Sequence, residues 1–142
     1  MYKEQILGYL RQLNLPPDGY CLFGGCCLAI RDLRATEDID LYVTKELYVK
    51  FKESGWQETN EPGRLLRVTT EVEGVRVDAF IDSIGEGWQP KIQQYLDNPE
   101  IIEDYKFMPL SELYEWKTHV RRPKDIRDIK LIDEFWAKQQ GN

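Results

Sequence analysis

Two aspartates flank an isoleucine in "EDIDLYV", and a glycine pair, Gly24-Gly25, stands upstream of them in "FGGCCLAI". If the first run is a β-strand, side chains alternate between its faces, so Asp38 and Asp40 project from the same side, about 6–7 Å apart at the backbone. Two carboxylates so placed repel each other, and a divalent cation relieves the repulsion. Magnesium prefers oxygen ligands, and paired ions about 3.5–4 Å apart clamp the attacking and leaving oxygens of a phosphoryl transfer. A third carboxylate normally completes such a site. Asp78, in "VRVDAFID", is the choice, with Asp82 in reserve. Gly24-Gly25 supplies a complementary feature, because a turn without side chains that enters a helix lets backbone N–H groups approach a phosphate.

These residues need a scaffold, and the hydrophobic pattern supplies one. "YCLF" reads as a strand running into the glycine pair, with a short helix in "CCLAIRDL" and the aspartate-bearing strand after it. In that strand Ile39, Leu41 and Val43 share one face, while Asp38, Asp40 and Tyr42 share the other. "RLLRVTTEV" and "VRVDAFID" read as two strands joined by a turn at Glu73-Gly74, and Arg76, Asp78, Phe80 and Asp82 fall on one face of the second. Helices are expected at both ends. Ile6, Leu7, Leu10 and Leu13 recur at helical spacing near the start, "NLPPDG" closes that helix, and "KELYVKFKESG" forms a short amphipathic helix ended by Gly55. Further on, "GEGWQPKIQQYL" gives a loop and short helix, "YKFM" a brief strand, and "PLSELYEWKTHV" a helix opened by proline. Pro123 begins the last helix, in which Ile126, Ile129, Ile132 and Trp136 are expected to form the apolar stripe. The expectation is a single α/β (α+β) domain over residues 1–142, a small mixed sheet flanked by helices.

Composition narrows the partners. The 142 residues are 42% hydrophobic and 31% charged, the make-up of a globular domain able to bury one core. No apolar run approaches the roughly 20 residues that span a bilayer, and the charged N-terminal stretch does not resemble a signal peptide, so no membrane contact and a cytoplasmic location are expected. The net charge of −6 argues against a protein that coats nucleic acid, and leaves "KTHVRRPKDIRDIK" as the one locally basic patch. Cys21, Cys26 and Cys27 lack a metal-knuckle spacing and read as small buried thiols. His119 is the single histidine, which argues against a zinc site.

The order glycine pair, spacer of roughly a dozen residues, Asp-hydrophobic-Asp-hydrophobic resembles the signature of the DNA polymerase beta-like nucleotidyltransferase superfamily. Gly24-Gly25, Asp38, Ile39, Asp40 and Leu41 fall on that pattern, and Asp78 suits its third carboxylate. "ELYEWKTHVRRPKDIRDIKLI" is similar to the lysine helix and following Lys-Asp-x-x-Asp helix of small bacterial members, among them abortive-infection-type toxins and antibiotic nucleotidyltransferases. The resemblance implies a nucleotidyltransferase fold. It also implies a Mg2+- or Mn2+-dependent transferase that moves a nucleoside monophosphate from a nucleoside triphosphate to an acceptor and releases pyrophosphate. In that scheme Asp38 and Asp40 hold both ions, while Asp78 binds the ion at the acceptor and helps remove its proton. Gly24, Gly25 and Cys26 lie at the phosphates, with Lys117 and either Arg31 or Arg34 as further phosphate contacts. Cys26 stands where the family often has serine or threonine, which are stronger hydrogen-bond donors.

The acceptor is open between RNA, a protein side chain and a small-molecule hydroxyl. The chain's short length also admits a companion protein in a two-component system. A non-catalytic nucleotide-binding or partner-binding module is the alternative to an enzyme. Asp125 and Asp128 read as capping or salt-bridging residues of the last helix, Arg121-Arg122 as a solvated face, and the tryptophans as packing anchors, with Trp88 also suited to stacking on a base.

Overall fold

The computed structural model describes residues 1–82 and 89–141. Helix α1 (Lys3–Leu13) buries Ile6, Leu7 and Leu10, as its spacing predicts. Strand β1 (Tyr20–Phe23) runs into the short helix α2 (Gly25–Ala29), and β2 (Ile39–Val43) follows. Helix α3 (Lys45–Glu53) starts where the Thr44 side chain accepts a hydrogen bond from the Leu47 amide at 3.2 Å, satisfying one of the donors a helix start leaves unpaired. Next come β3 (Gln57–Thr59), β4 (Arg67–Val72) and β5 (Val75–Phe80). The chain ends with α4 (Gln89–Asp97), β6 (Glu100–Ile102), β7 (Tyr105–Phe107), α5 (Leu110–Val120) and α6 (Pro123–Gln140).

The strands form one mixed sheet in the order β3-β4-β5-β2-β1-β7-β6. β2 lies at its centre, antiparallel to β1 and parallel to β5. β4 and β5 make the expected hairpin. Glu73 at φ 49° and Gly74 at φ 82° take the two positive-φ positions that a two-residue turn between twisted strands demands, and Val72 pairs directly with Val75. The edge strands β3 and β6, three residues each, were not expected. Such short segments carry almost no periodicity.

Ile39, Leu41 and Val43 are buried, and α2 and α3 pack on the central strands. The opposite face of β2 is covered as well beyond Asp40. Tyr42 stacks on Phe23 with centroids 3.8 Å apart and meets Tyr95 of α4 at 6.3 Å. The aspartates therefore occupy the open end of an otherwise enclosed face. The three cysteines are free and buried, and burial pushes the Cys27 thiol up to about 12, in keeping with packing rather than reactivity.

The last helix departs from expectation. Its buried residues are Asp125, Asp128 and Ile132, while Ile126 is 50% exposed. The inward stripe begins with two acids because α5 presents a buried lysine to it. Among the described residues, no helix is long and apolar enough to cross a membrane.

Candidate functional site

Three adjacent strand ends build the site. Phe23 on β1 is the register partner of Asp40 on β2, and Asp40 is the register partner of Asp78 on β5. Parallel pairing thus sets two carboxylates side by side from segments far apart in sequence. Asp38 stands just before β2, with an exposed side chain and a backbone carbonyl that accepts from Cys26 Sγ at 3.5 Å and Thr36 Oγ1 at 3.3 Å. All three aspartates line one cleft of about 360 Å³, together with Gly24, Gly25 and Asp82. That size lies within the range of small-molecule sites, roughly 300–1,000 Å³.

The glycine turn is fixed by a positive φ at Gly24 and by close approach at Gly25. Gly24 has φ 69°, and a Cβ there would stand 3.6 Å from Asp40 Oδ2. At Gly25 a Cβ would meet Thr36 Oγ1 at 2.4 Å, so only glycine lets the turn close on this loop. Thr36, 8% exposed, shapes the turn from behind without lining the cleft, a role that the sequence pattern did not reveal.

The Asp40 carboxyl is pushed up to about 7 by burial first, then by the neighbouring charges of Asp78 and Asp38, while Arg67 and Arg76 pull it down. Asp78 is 4% exposed and already well bonded. It accepts a hydrogen bond from the Thr69 hydroxyl, and Arg76 Nε lies 2.9 Å from its Oδ2 and 3.2 Å from its Oδ1. Arg67 Nη1 approaches Oδ2 at 3.9 Å. Alternation places Arg76 on the face of Asp78, a relation readable in sequence. Arg67 joins them only through the β4–β5 register.

The donors are hard oxygens, which suit Mg2+ or Mn2+. Asp38 and Asp40 face the cleft, but Asp78 spends both its oxygens on protein donors. Among the described residues, no three of His, Cys, Asp and Glu come together as a ready metal-ligating group. The fit is to two of the three expected ligands.

Lys117 and Arg34 also line the cleft, but each is engaged with acids. Lys117, 3% exposed, donates to Asp125 Oδ1 at 3.1 Å and reaches Asp128 Oδ2 at 2.8 Å. Arg34 clasps Asp128 with Nε at 2.7 Å and Nη2 at 2.9 Å, a fork matched to a carboxylate. Burial would raise the Asp125 carboxyl, but hydrogen bonds from Arg122 and Lys117 outweigh it and bring it to about 2. Asp128 is lowered too, its burial outweighed by Arg34 and Lys117. Asp125 and Asp128 therefore do the salt-bridging expected of them, in the interior rather than on a helix surface.

The Cys26 side chain is wholly buried, turned onto the Asp38 carbonyl, and does not line the cleft. Arg31 bonds the Cys27 carbonyl at 2.6 Å and Glu100 at 2.8 Å, tying α2 to an edge strand instead of facing the site. Arg122, expected on a solvated face, sits over the Trp116 ring at 5.2 Å and lines the cleft with Lys124. Trp88 lies outside the described residues. No family model matches this chain, and neither does any curated protein.

Proposed function

We propose that the cleft is the active site of a metal-dependent nucleotidyltransferase, similar to members of the DNA polymerase beta-like superfamily. One observation carries this reading: the Asp40–Asp78 register pair stands beside a glycine turn that Asp40 itself overlies. Asp38 and Asp40 would hold the divalent cation, which when bound neutralises phosphate charge and polarises the reacting phosphoryl group. The acceptor oxygen forms a bond to the α-phosphorus of the nucleoside triphosphate, the α–β bridge breaks, and pyrophosphate leaves. The acceptor's proton passes to a carboxylate of the site, Asp78 by the resemblance. The side-chain-free turn at Gly24 and Gly25 leaves backbone accessible to phosphate, and Arg122 and Lys124 add positive charge at the rim. Positioning and charge compensation supply most of the acceleration in such reactions. Three free thiols and a nucleotide substrate fit a cytoplasmic setting.

The pairing of Asp78 with arginine favours a second reading, a nucleotide-binding or partner-binding module without turnover. Labelled nucleoside triphosphates with Mg2+ or Mn2+, offered RNA, protein and small-molecule hydroxyls, separate the two. Transfer with pyrophosphate release, abolished in Asp40→Asn, is the expected result. Nucleotide binding by calorimetry with no pyrophosphate from any acceptor would establish the module instead.

A further inference from the structure

Arg76 and a divalent cation compete for the same oxygens. Arg76 is two residues before Asp78 on β5, shares its face, and puts Nε within hydrogen-bond distance of both carboxylate oxygens. We infer that Arg76 is a latch, the resting counter-ion of Asp78, and that it must swing away before Asp78 can ligate a metal. The inference rests on the nucleotidyltransferase reading. It makes the resting chain a one-ion protein at Asp38 and Asp40, with the second ion admitted on release of the latch.

Four features support this assignment. Because Asp40 and Asp78 are register neighbours, a positive charge beside them favours ionisation of both, and Arg76 supplies it where a cation would otherwise do so. The Arg76 side chain is 48% exposed against 5% for Asp78, so release carries its guanidinium into water and leaves a buried carboxylate whose charge an incoming cation compensates. Arg67 is poorly suited to move. It is 19% exposed, its guanidinium lies 4.9 Å from the Phe80 ring centroid, and its Nε donates to the Leu65 carbonyl at 3.4 Å. The hydroxyl of Thr69, directly across the β4–β5 pair from Asp78, stays on the carboxylate and keeps its orientation when Arg76 leaves.

The test is Mn2+ binding to the intact chain, followed by electron paramagnetic resonance and calorimetry without nucleotide. The wild type is expected to bind one Mn2+ tightly and a second at least about tenfold more weakly. Arg76→Gln should tighten the second site by at least about tenfold, Arg76→Lys should fall between, and adding Asp78→Asn to Arg76→Gln should erase the gain. Two equally tight ions in the wild type, an Arg76→Gln isotherm that superimposes on wild type, or a gain that survives Asp78→Asn would each overturn the latch while leaving the metal site standing. If neither wild type nor Arg76→Gln binds Mn2+, with native circular dichroism in both, the latch and the metal-dependent reading fall together.

Discussion

Asp40 is under opposing demands. Its position between β1 and β5 buries it beside two other carboxylates, and the folded protein accordingly keeps its proton up to about 7. The unfolded chain releases that proton near 3.9. Between those values the folded state binds more protons, so this group lowers stability as pH rises from about 4 through 7. On the proposed function Asp40→Asn abolishes transfer, and at pH 8 it should raise unfolding stability by up to roughly 4 kcal/mol, a gain that fades near pH 4. Urea titrations at pH 8 and pH 4.5 measure both ends. Such a gain would mark Asp40 as a residue retained against the demands of the fold. Its type and spacing were legible because strands have a period of two, and the same rule put Arg76 on the face of Asp78. That Arg76 would bind the carboxylate, or that Thr36 would close on Gly25, depends on side-chain reach and loop path, to which spacing is blind.

At the scale of elements, α5 and α6 are joined by charge as much as by apolar contact. Lys117 on α5 has two buried acids of α6 as partners, and Arg34, between α2 and β2, shares one of them. Lys117→Met should cost about 3–5 kcal/mol in equilibrium urea unfolding, because Asp125 loses one cation and Asp128 keeps only Arg34. Loss below about 1 kcal/mol would mean that water reaches the acids. The helices themselves were legible, and α1 buries the stripe its sequence predicts. The inward face of α6 was misread because hydrophobic periodicity assigns charged residues to solvent. It cannot see a partner contributed by another helix. "RRPKDIRDIK" has the composition of a wet surface, yet both of its acids are buried, and only the tertiary arrangement distinguishes the cases.

For the whole molecule, the net charge of −6 coexists with a cleft rimmed by lysine and arginine. The acids that balance those cations set the acid limit of the fold. The Asp125 carboxyl is held at about 2 and Asp128 is lowered, so their stabilisation is present above the unfolded value near 4 and is lost as pH falls toward 2. Acid titration followed by tryptophan fluorescence should show one cooperative transition in that window, since the same ion cluster ties α5, α6 and the segment after α2 together; Trp116, against Arg122, reports it directly. A mixed sheet flanked by helices was legible from alternating runs and helical stripes, whereas strand order and the parallel partnership of β2 and β5 were not fixed by any local pattern. That partnership carries a consequence for biosynthesis. The chain must emerge from the ribosome past the β4–β5 hairpin before Asp40 gains its neighbour, and past α6 before the cationic rim exists. A nascent polypeptide that already carries the whole glycine-aspartate motif has therefore not yet assembled the cleft that the finished chain builds around it.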